Sequence, residues 1–310
     1  MIKKIAPFLI IFAALLWSLD GIIRRELRAI PAATLVMLEH CVGLLLLLPF
    51  IPRTIPKLQK IHYKEWMILF TVSIIGGVLG TCFYTIALAK VEFIQYTVVV
   101  LLQQTQPLFA IVLAHFILKE NITKNYILLA SVGVVAAYFL SFPDYMPKIK
   151  GNSQEIFAAV FALAAAVSWG SATVLSKLIL TKVDVLTATI VRFMIVIPFS
   201  YLMGIIMGNY IPLTEIFDVV TYKQWLYLFG IACTAGAVAM SLYYKGLQYT
   251  PAQTSTILEL VYPLSAVIIG YQFLNERLFW GQIIAGVVLL FVILKLAWIQ
   301  IKNYENQKLS

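Results

Sequence analysis

The chain has 310 residues, of which 62% are hydrophobic and only 12% are charged, and its mean hydropathy is +0.93. This composition excludes a water-soluble globule, which is nearer ~45–50% apolar and ~25% charged, and it excludes intrinsic disorder, which has the opposite bias. The net charge is +9, yet the basic residues stand mostly between long apolar runs, which is the pattern of a membrane protein rather than of a nucleic-acid binder.

Ten apolar runs approach the length of about 20 residues that a membrane-spanning helix needs. In the first half they are 5–23, 32–51, 66–88, 95–118 and 126–142, and in the second half 156–179, 185–208, 225–246, 254–274 and 280–299. The links between them are too short for a soluble domain. Lys3 and Lys4 before an apolar run resemble a signal peptide, but no small-residue cleavage site follows, so we expect a retained first helix.

The distribution of lysine and arginine predicts the orientation. With the N-terminus in the cytoplasm, 13 basic residues lie on the inner side and 8 on the outer side, among them Arg24, Arg25 and Arg28. This bias favours an integral protein of the plasma (inner) membrane with both termini in the cytoplasm.

The fourth and ninth runs repeat one pattern. Gln103 lies four residues before Pro107, and that run closes on Glu120. Glu259 lies four residues before Pro263, and its run closes on Glu276, so that prolines and glutamates alike are 156 residues apart.

The first and sixth runs match through Trp17 and Trp169, which are 152 residues apart, and the third and eighth runs end alike after Tyr84 and Tyr243. The chain therefore divides into two repeats, 1–150 and 151–310. Because each repeat has five spans, the second must enter the membrane from the opposite side. Inverted repeats are typical of secondary transporters, whose solute site lies near the midplane between the halves.

Together, the tryptophan that opens each half and the paired runs Pro107 to Glu120 and Pro263 to Glu276 resemble the drug/metabolite transporter superfamily, and more narrowly its ten-helix EamA-type exporters. The resemblance covers roughly residues 5–300. It implies two five-helix halves around a central cavity, alternating access, and the export of amino acids or related small polar metabolites. Family members often carry an arginine in the second helix of each half. Arg192 fits that place, whereas the first half has Glu39 and His40.

Glu259 and Gln103 are predicted to line the cavity. Proline has no N–H, so the carbonyl of the residue four positions earlier loses its helical partner. That residue is Glu259 in one half and Gln103 in the other, and such defects persist at membrane depth only beside protein or a wet cavity. The alternative is a kink with a polar packing contact.

Ionisable groups deep in a membrane are costly and mark functional candidates. Arg192 suits a solute carboxylate, or an internal pair with a buried acid. Glu39, His40 and Asp20 are candidates for proton coupling, and of the adjacent pair Glu39 and His40 we expect one to face the cavity and the other a neighbouring helix. Asp20 is either a gating residue or the partner of Arg24 one helical turn later.

Aromatic residues complete the predicted solute site. Trp17, Trp169, Tyr84, Tyr243 and Tyr262 either line a pocket for an organic solute or belong to packing and interface belts. We expect Glu120 and Glu276 to make structural contacts at helix ends.

The sequence predicts a transporter of a small solute in a lipid bilayer, with no cofactor, no metal site and no nucleic-acid partner. Nucleotide-sugar or drug transport is the alternative within the superfamily, and proton coupling and facilitated exchange both stay open. A membrane-embedded enzyme would need a nucleophile constellation, metal spacing or a phosphate loop, and a channel would need a ring of polar side chains or filter segments. Neither pattern occurs.

Overall fold

The structure is a computed structural model that describes residues 2–90, 96–142, 153–273 and 278–309. Within these ranges the regular structure is entirely helical, and ten helices are long and apolar enough to cross a membrane. The prediction of an all-α protein with ten spanning helices is confirmed. The start of the fourth predicted span, most of the link between the halves, the end of the ninth span and Glu276 lie outside the described residues.

The first half contains α1 to α5. Their bounds are Ile2–Glu26 for α1, Ala32–Leu58 for α2, Tyr63–Leu88 for α3, Tyr96–Gln103 and Gln106–Leu118 for the two segments of α4, and Lys124–Ser141 for α5. The second half contains α6 to α10. Their bounds are Ser153–Ile179 for α6, Val185–Ile206 for α7, Tyr222–Leu247 for α8, Ala252–Leu258 and Val261–Phe273 for the two segments of α9, and Trp280–Leu309 for α10.

The helices α4 and α9 are interrupted at the proline motifs. One segment of α4 ends at Gln103 and the next begins at Gln106, and α9 is interrupted between Leu258 and Val261. The carbonyl of Glu259 is not left without a partner, however, because a tighter turn brings the Tyr262 N–H to 2.9 Å from it. The interruption therefore does not free the Glu259 carbonyl, and the Glu259 side chain is what lines the cavity.

Two further irregularities, which the sequence did not predict, lie in α3 and α8. Ser73–Gly80 in α3 and Ala232–Gly236 in α8 are π-helical. Segments of this kind loosen the regular backbone hydrogen bonding and are frequent at functional sites. Both occur in the third helix of a repeat, so the two halves share the defect.

The contacts between halves follow the repeat. Helix α1 packs on α8 and α9, and α6 packs correspondingly on α3 and α4, while α2 pairs with α7 and α5 with α10. Close approach needs small residues at the crossings. A Cβ added at Gly170 of α6 would lie 2.9 Å from the carbonyl oxygen of Gln106, and one at Gly246 of α8 would lie 2.7 Å from that of Ala6.

Polar contacts tie the two halves together at the face that holds the start of α1 and the end of α10, which we call the terminal face. The Glu120 carboxylate accepts hydrogen bonds from the backbone N–H groups of Ala252 (2.7 Å) and Gln253 (3.1 Å), so the end of α4 caps the start of α9. Lys57 Nζ also lies 3.1 Å from Asp184 Oδ1. The structural role expected of Glu120 is confirmed.

Candidate functional site

A cavity lies between the two halves, and its lining includes residues of both interrupted helices and of the π-helical segment of α8. Its volume, counted as the space that the centre of a water molecule can reach, is ≈ 170 Å³. The structure places all eleven residues singled out from the sequence in the lining, namely Trp17, Asp20, Glu39, His40, Tyr84, Gln103, Trp169, Arg192, Tyr243, Glu259 and Tyr262.

Two tryptophan–tyrosine pairs cross between the halves. Trp17 of α1 packs against Tyr243 of α8 with ring centroids 5.0 Å apart, and Trp169 of α6 packs against Tyr84 of α3 at 5.3 Å. The two pairs occupy equivalent positions of the repeat. They give the cavity two aromatic walls, which suit a flat, conjugated solute.

Glu259 is the centre of a hydrogen-bond network that also crosses between the halves. Its carboxylate accepts from Tyr243 Oη at 2.8 Å and from Gln106 Nε2 at 3.0 Å. Gln103 Nε2 in turn donates to Gln106 Oε1 at 3.2 Å, and the Tyr243 hydroxyl lies 2.8 Å from Thr173 Oγ1. The side chain is buried yet has no cationic partner within 4 Å among the described residues.

Arg192 does not pair with an acid. Among the described residues no carboxylate oxygen lies within 4 Å of its guanidinium, and its Nη1 donates instead to Tyr244 Oη at 3.1 Å. The Tyr244 hydroxyl also accepts a hydrogen bond from Ser176 Oγ at 3.3 Å. The guanidinium has five N–H donors, so most of them are left for a group that enters the cavity.

Arg24, which the sequence analysis placed in an outer loop, is the main correction. It lies in the last turns of α1, is 5% exposed and lines the cavity. Its Nε and Nη2 bond both carboxylate oxygens of Asp20 at 2.9 and 3.1 Å, Nη2 also reaches Glu39 Oε2 at 2.7 Å, and Nη1 donates to Thr85 Oγ1 at 3.0 Å. The predicted Asp20–Arg24 contact is confirmed, but at depth.

His40 and Glu39 both line the cavity, and the expectation that one of the two meets a neighbouring helix is confirmed for His40. The two side chains diverge within that lining. Glu39 meets Arg24, whereas the His40 ring packs against Phe193 with centroids 4.7 Å apart and places Nδ1 2.8 Å from the Val36 carbonyl. That carbonyl can only accept, so Nδ1 carries a proton.

Several lining residues were not predicted from the sequence, including Gln106, Thr173 and Ser176. The repeat carried a signal for one of them, because Gln106 stands immediately before Pro107 as Tyr262 stands before Pro263. No signal identified Ser176 and Thr173, since small hydroxyl residues are ordinary in membrane helices.

The ten-helix fold and its central polar cavity define a membrane transporter. The chain belongs to the EamA-like transporter family, whose model matches residues 4–142 and 156–298, within the drug/metabolite transporter superfamily. The riboflavin transporter ImpX of Fusobacterium nucleatum is 32% identical over 291 residues, covering 93% of this chain and 96% of that protein. The uncharacterized transporter YetK of Bacillus subtilis is 27% identical and covers 76% of this chain and 68% of its own length. The uncharacterized transporter YoaV of the same organism is 25% identical and covers 87% of this chain and 88% of its own length.

A protein crystal structure shares the fold at a TM-score of 0.76 and 16% identity, covering 97% of this chain and 98% of that one. At that identity the similarity extends to the fold alone. The chain is an integral membrane protein with ten helices long and apolar enough to cross a membrane among its described residues, and its named relatives are transporters.

Proposed function

We propose that this chain carries riboflavin, or a closely similar flat heterocycle, across the inner membrane by alternating access between its two repeats, 1–150 and 151–310. The carrying observation is the crossed arrangement of Trp17 with Tyr243 and Trp169 with Tyr84 on one cavity. Aromatic walls favour a conjugated ring system over an aliphatic solute. The name of the relative from Fusobacterium nucleatum supports the same solute.

The polar lining suits the remainder of such a molecule. The amides of Gln103 and Gln106 both donate and accept hydrogen bonds, as the edge of a flavin ring does. Riboflavin is uncharged near neutral pH, so its entry leaves the charges of Glu259 and Arg192 unneutralised.

Export of an amino acid is the second candidate, and one observation favours it. Arg192 and Glu259 line the same cavity, and neither has an oppositely charged partner within 4 Å among the described residues. A zwitterion would supply a carboxylate to the first and an ammonium to the second. Proton coupling through Glu259, Glu39, His40 or Asp20 is compatible with either solute.

The experiment is metabolite profiling of the medium of cells that overexpress the wild type, Arg192→Ala or Glu259→Gln. We expect riboflavin in the medium to change only with the wild type, a rise indicating export and a fall indicating uptake. Amino acids changing instead would favour the second candidate. If riboflavin and amino acids in the medium of the wild-type strain match those of cells without the protein, the proposal is wrong.

A further inference from the structure

Glu39 and Arg192 occupy equivalent places in the two halves and carry opposite charges. They are 153 residues apart, and so are His40 and Phe193, whose rings contact each other across the interface. The partners of Glu39 and Arg192 are equivalent as well. Arg24 and Ser176 are 152 residues apart, as Trp17 and Trp169 are, and Thr85 and Tyr244 are 159 apart, as Tyr84 and Tyr243 are.

The first-half junction, formed by Asp20, Arg24, Glu39 and Thr85, is internally complete. Every nitrogen of the Arg24 guanidinium has an acceptor among the other three side chains. Two carboxylates surround one cation there. Four of the five guanidinium N–H groups are bonded in this way, so we assign the junction to holding α1, α2 and α3 together.

The second-half junction, formed by Arg192, Ser176 and Tyr244, has a cation and no acid. Ala172 stands where Asp20 stands in the first half, 152 residues later. The guanidinium packs closely against Gly76 of α3, where an added Cβ would lie 2.5 Å from Ala172 Cβ and 3.2 Å from Arg192 Nη1, and Arg192 also lines the cavity. A buried cation without a counter-charge is costly in a membrane, so this junction can bind an acceptor that the described residues do not provide.

We propose that the acceptor-bearing edge of the transported solute docks on Arg192, Ser176 and Tyr244, in the place that carboxylates hold in the first-half junction. The inference rests on the proposed function, and for riboflavin that edge is the N1 and C2-carbonyl side of the dioxopyrimidine ring. The carboxylate of an amino acid presents the same acceptor chemistry. The second-half junction thus determines the orientation of the solute in the cavity.

The test measures riboflavin binding to the purified protein through the flavin fluorescence that aromatic contact quenches. In Arg192→Gln we expect the Kd to rise at least about tenfold, the effect of losing a charge-assisted hydrogen bond. In Ser176→Asp an internal carboxylate would occupy the docking place, so the Kd should rise by a similar factor. In Ser176→Asn the side chain has the same shape as aspartate but no charge, so this variant should bind riboflavin more tightly than Ser176→Asp. Arg53→Gln, at an exposed position on the terminal face, is the control and should match the wild type.

The outcomes separate the two proposals. If the wild type and Arg192→Gln bind riboflavin equally, the docking inference is overturned while the proposed function stands. If the folded wild type does not bind riboflavin, the proposed function is wrong. If it then binds the amino acid tryptophan and this binding depends on Arg192, the docking inference still holds. Indole, which lacks an acceptor edge, should bind all variants alike. An equal loss of indole in Arg192→Gln would mean that the cavity has collapsed, which overturns the docking role.

Discussion

Trp17 and Trp169, one from each half, bind the same kind of acceptor in the opposite half. The Trp17 indole N–H donates to the carbonyl of Ala235, and that of Trp169 donates to the carbonyl of Gly76, both at 2.9 Å. Each acceptor lies in a π-helical segment. The crossed bonds hold both indoles against the solute cavity and connect the cavity to the π-helical segments of α3 and α8.

Replacing either tryptophan by phenylalanine keeps an aromatic wall and removes the crossed hydrogen bond. Because hydrogen bonds between membrane helices contribute about 0.6 and at most ~1.7 kcal/mol, we expect Trp17→Phe and Trp169→Phe to fold and to unfold at slightly lower denaturant. Transport should fall in both. Trp298→Phe, at a position that is 52% exposed, should be neutral, and equal transport by all three variants would argue against the crossed bonds.

Gly80 is expected to be irreplaceable even by alanine. A Cβ there would lie 2.6 Å from Nε1 and Cδ1 of the Trp169 indole, so the ring that lines the cavity would have to move, at a cost of about 1–3 kcal/mol. Gly230→Ala in α8 is the matched control, because a Cβ at Gly230 meets nothing within 4 Å. Stability and transport of the pair, measured side by side, check this; a tolerant Gly80 would contradict the packing described.

Arg24 is expected to matter for stability. Arg24→Gln would leave the buried carboxylate of Glu39 and the partly buried one of Asp20 without a counter-charge, and breaking a buried pair in this way costs about 3–5 kcal/mol. Combining it with Asp20→Asn and Glu39→Gln should restore much of the loss, because the acids are then neutral too. Thermal unfolding in detergent measures both. A triple variant no more stable than Arg24→Gln would show that charge is not the cause.

The sequence predicted the ten helices because their apolar runs are long and the links between them short. It also predicted the breaks near Gln103 and Glu259, since proline removes a backbone donor. It did not predict the depth of Arg24, because a basic residue at the end of an apolar run looks like an interfacial one. The π-helical segments were also missed, since Gly76, Gly77 and Gly80 indicate close packing without specifying the hydrogen-bond pattern.

Glu120 is expected to hold the two halves together at the terminal face. Glu120→Ala removes the side-chain cap from the N–H groups of Ala252 and Gln253, and losing a helix cap costs about 0.5–2 kcal/mol. Glu120→Gln should retain part of the capping, because the amide oxygen can still accept a hydrogen bond. Limited proteolysis at the terminal face should be faster in Glu120→Ala than in the wild type. The control Glu215→Ala, at an exposed position, should be cleaved at the wild-type rate. Identical rates in the two variants would refute the capping role.

Asp184 provides a pH control for transport. Partial burial would raise the pKa of its carboxyl, but hydrogen bonds from Thr187 and Lys57 outweigh burial and hold the pKa below the ordinary value of 3.8. A lowered pKa stabilises the fold above the ordinary value, and this contribution is lost only as the pH falls through the lower, folded value. Between pH 5 and 8 we therefore expect Asp184→Asn to share the wild-type pH profile of transport. A profile flattened by that change would contradict the assignment.

The most direct measurement is counterflow of labelled riboflavin into liposomes that contain the purified protein and are loaded with unlabelled riboflavin. We expect labelled riboflavin to accumulate above the level in protein-free liposomes, and the accumulation to fall in Trp169→Ala but not in Trp298→Ala. If no riboflavin enters while an amino acid mixture exchanges through the same liposomes, the flavin account is contradicted.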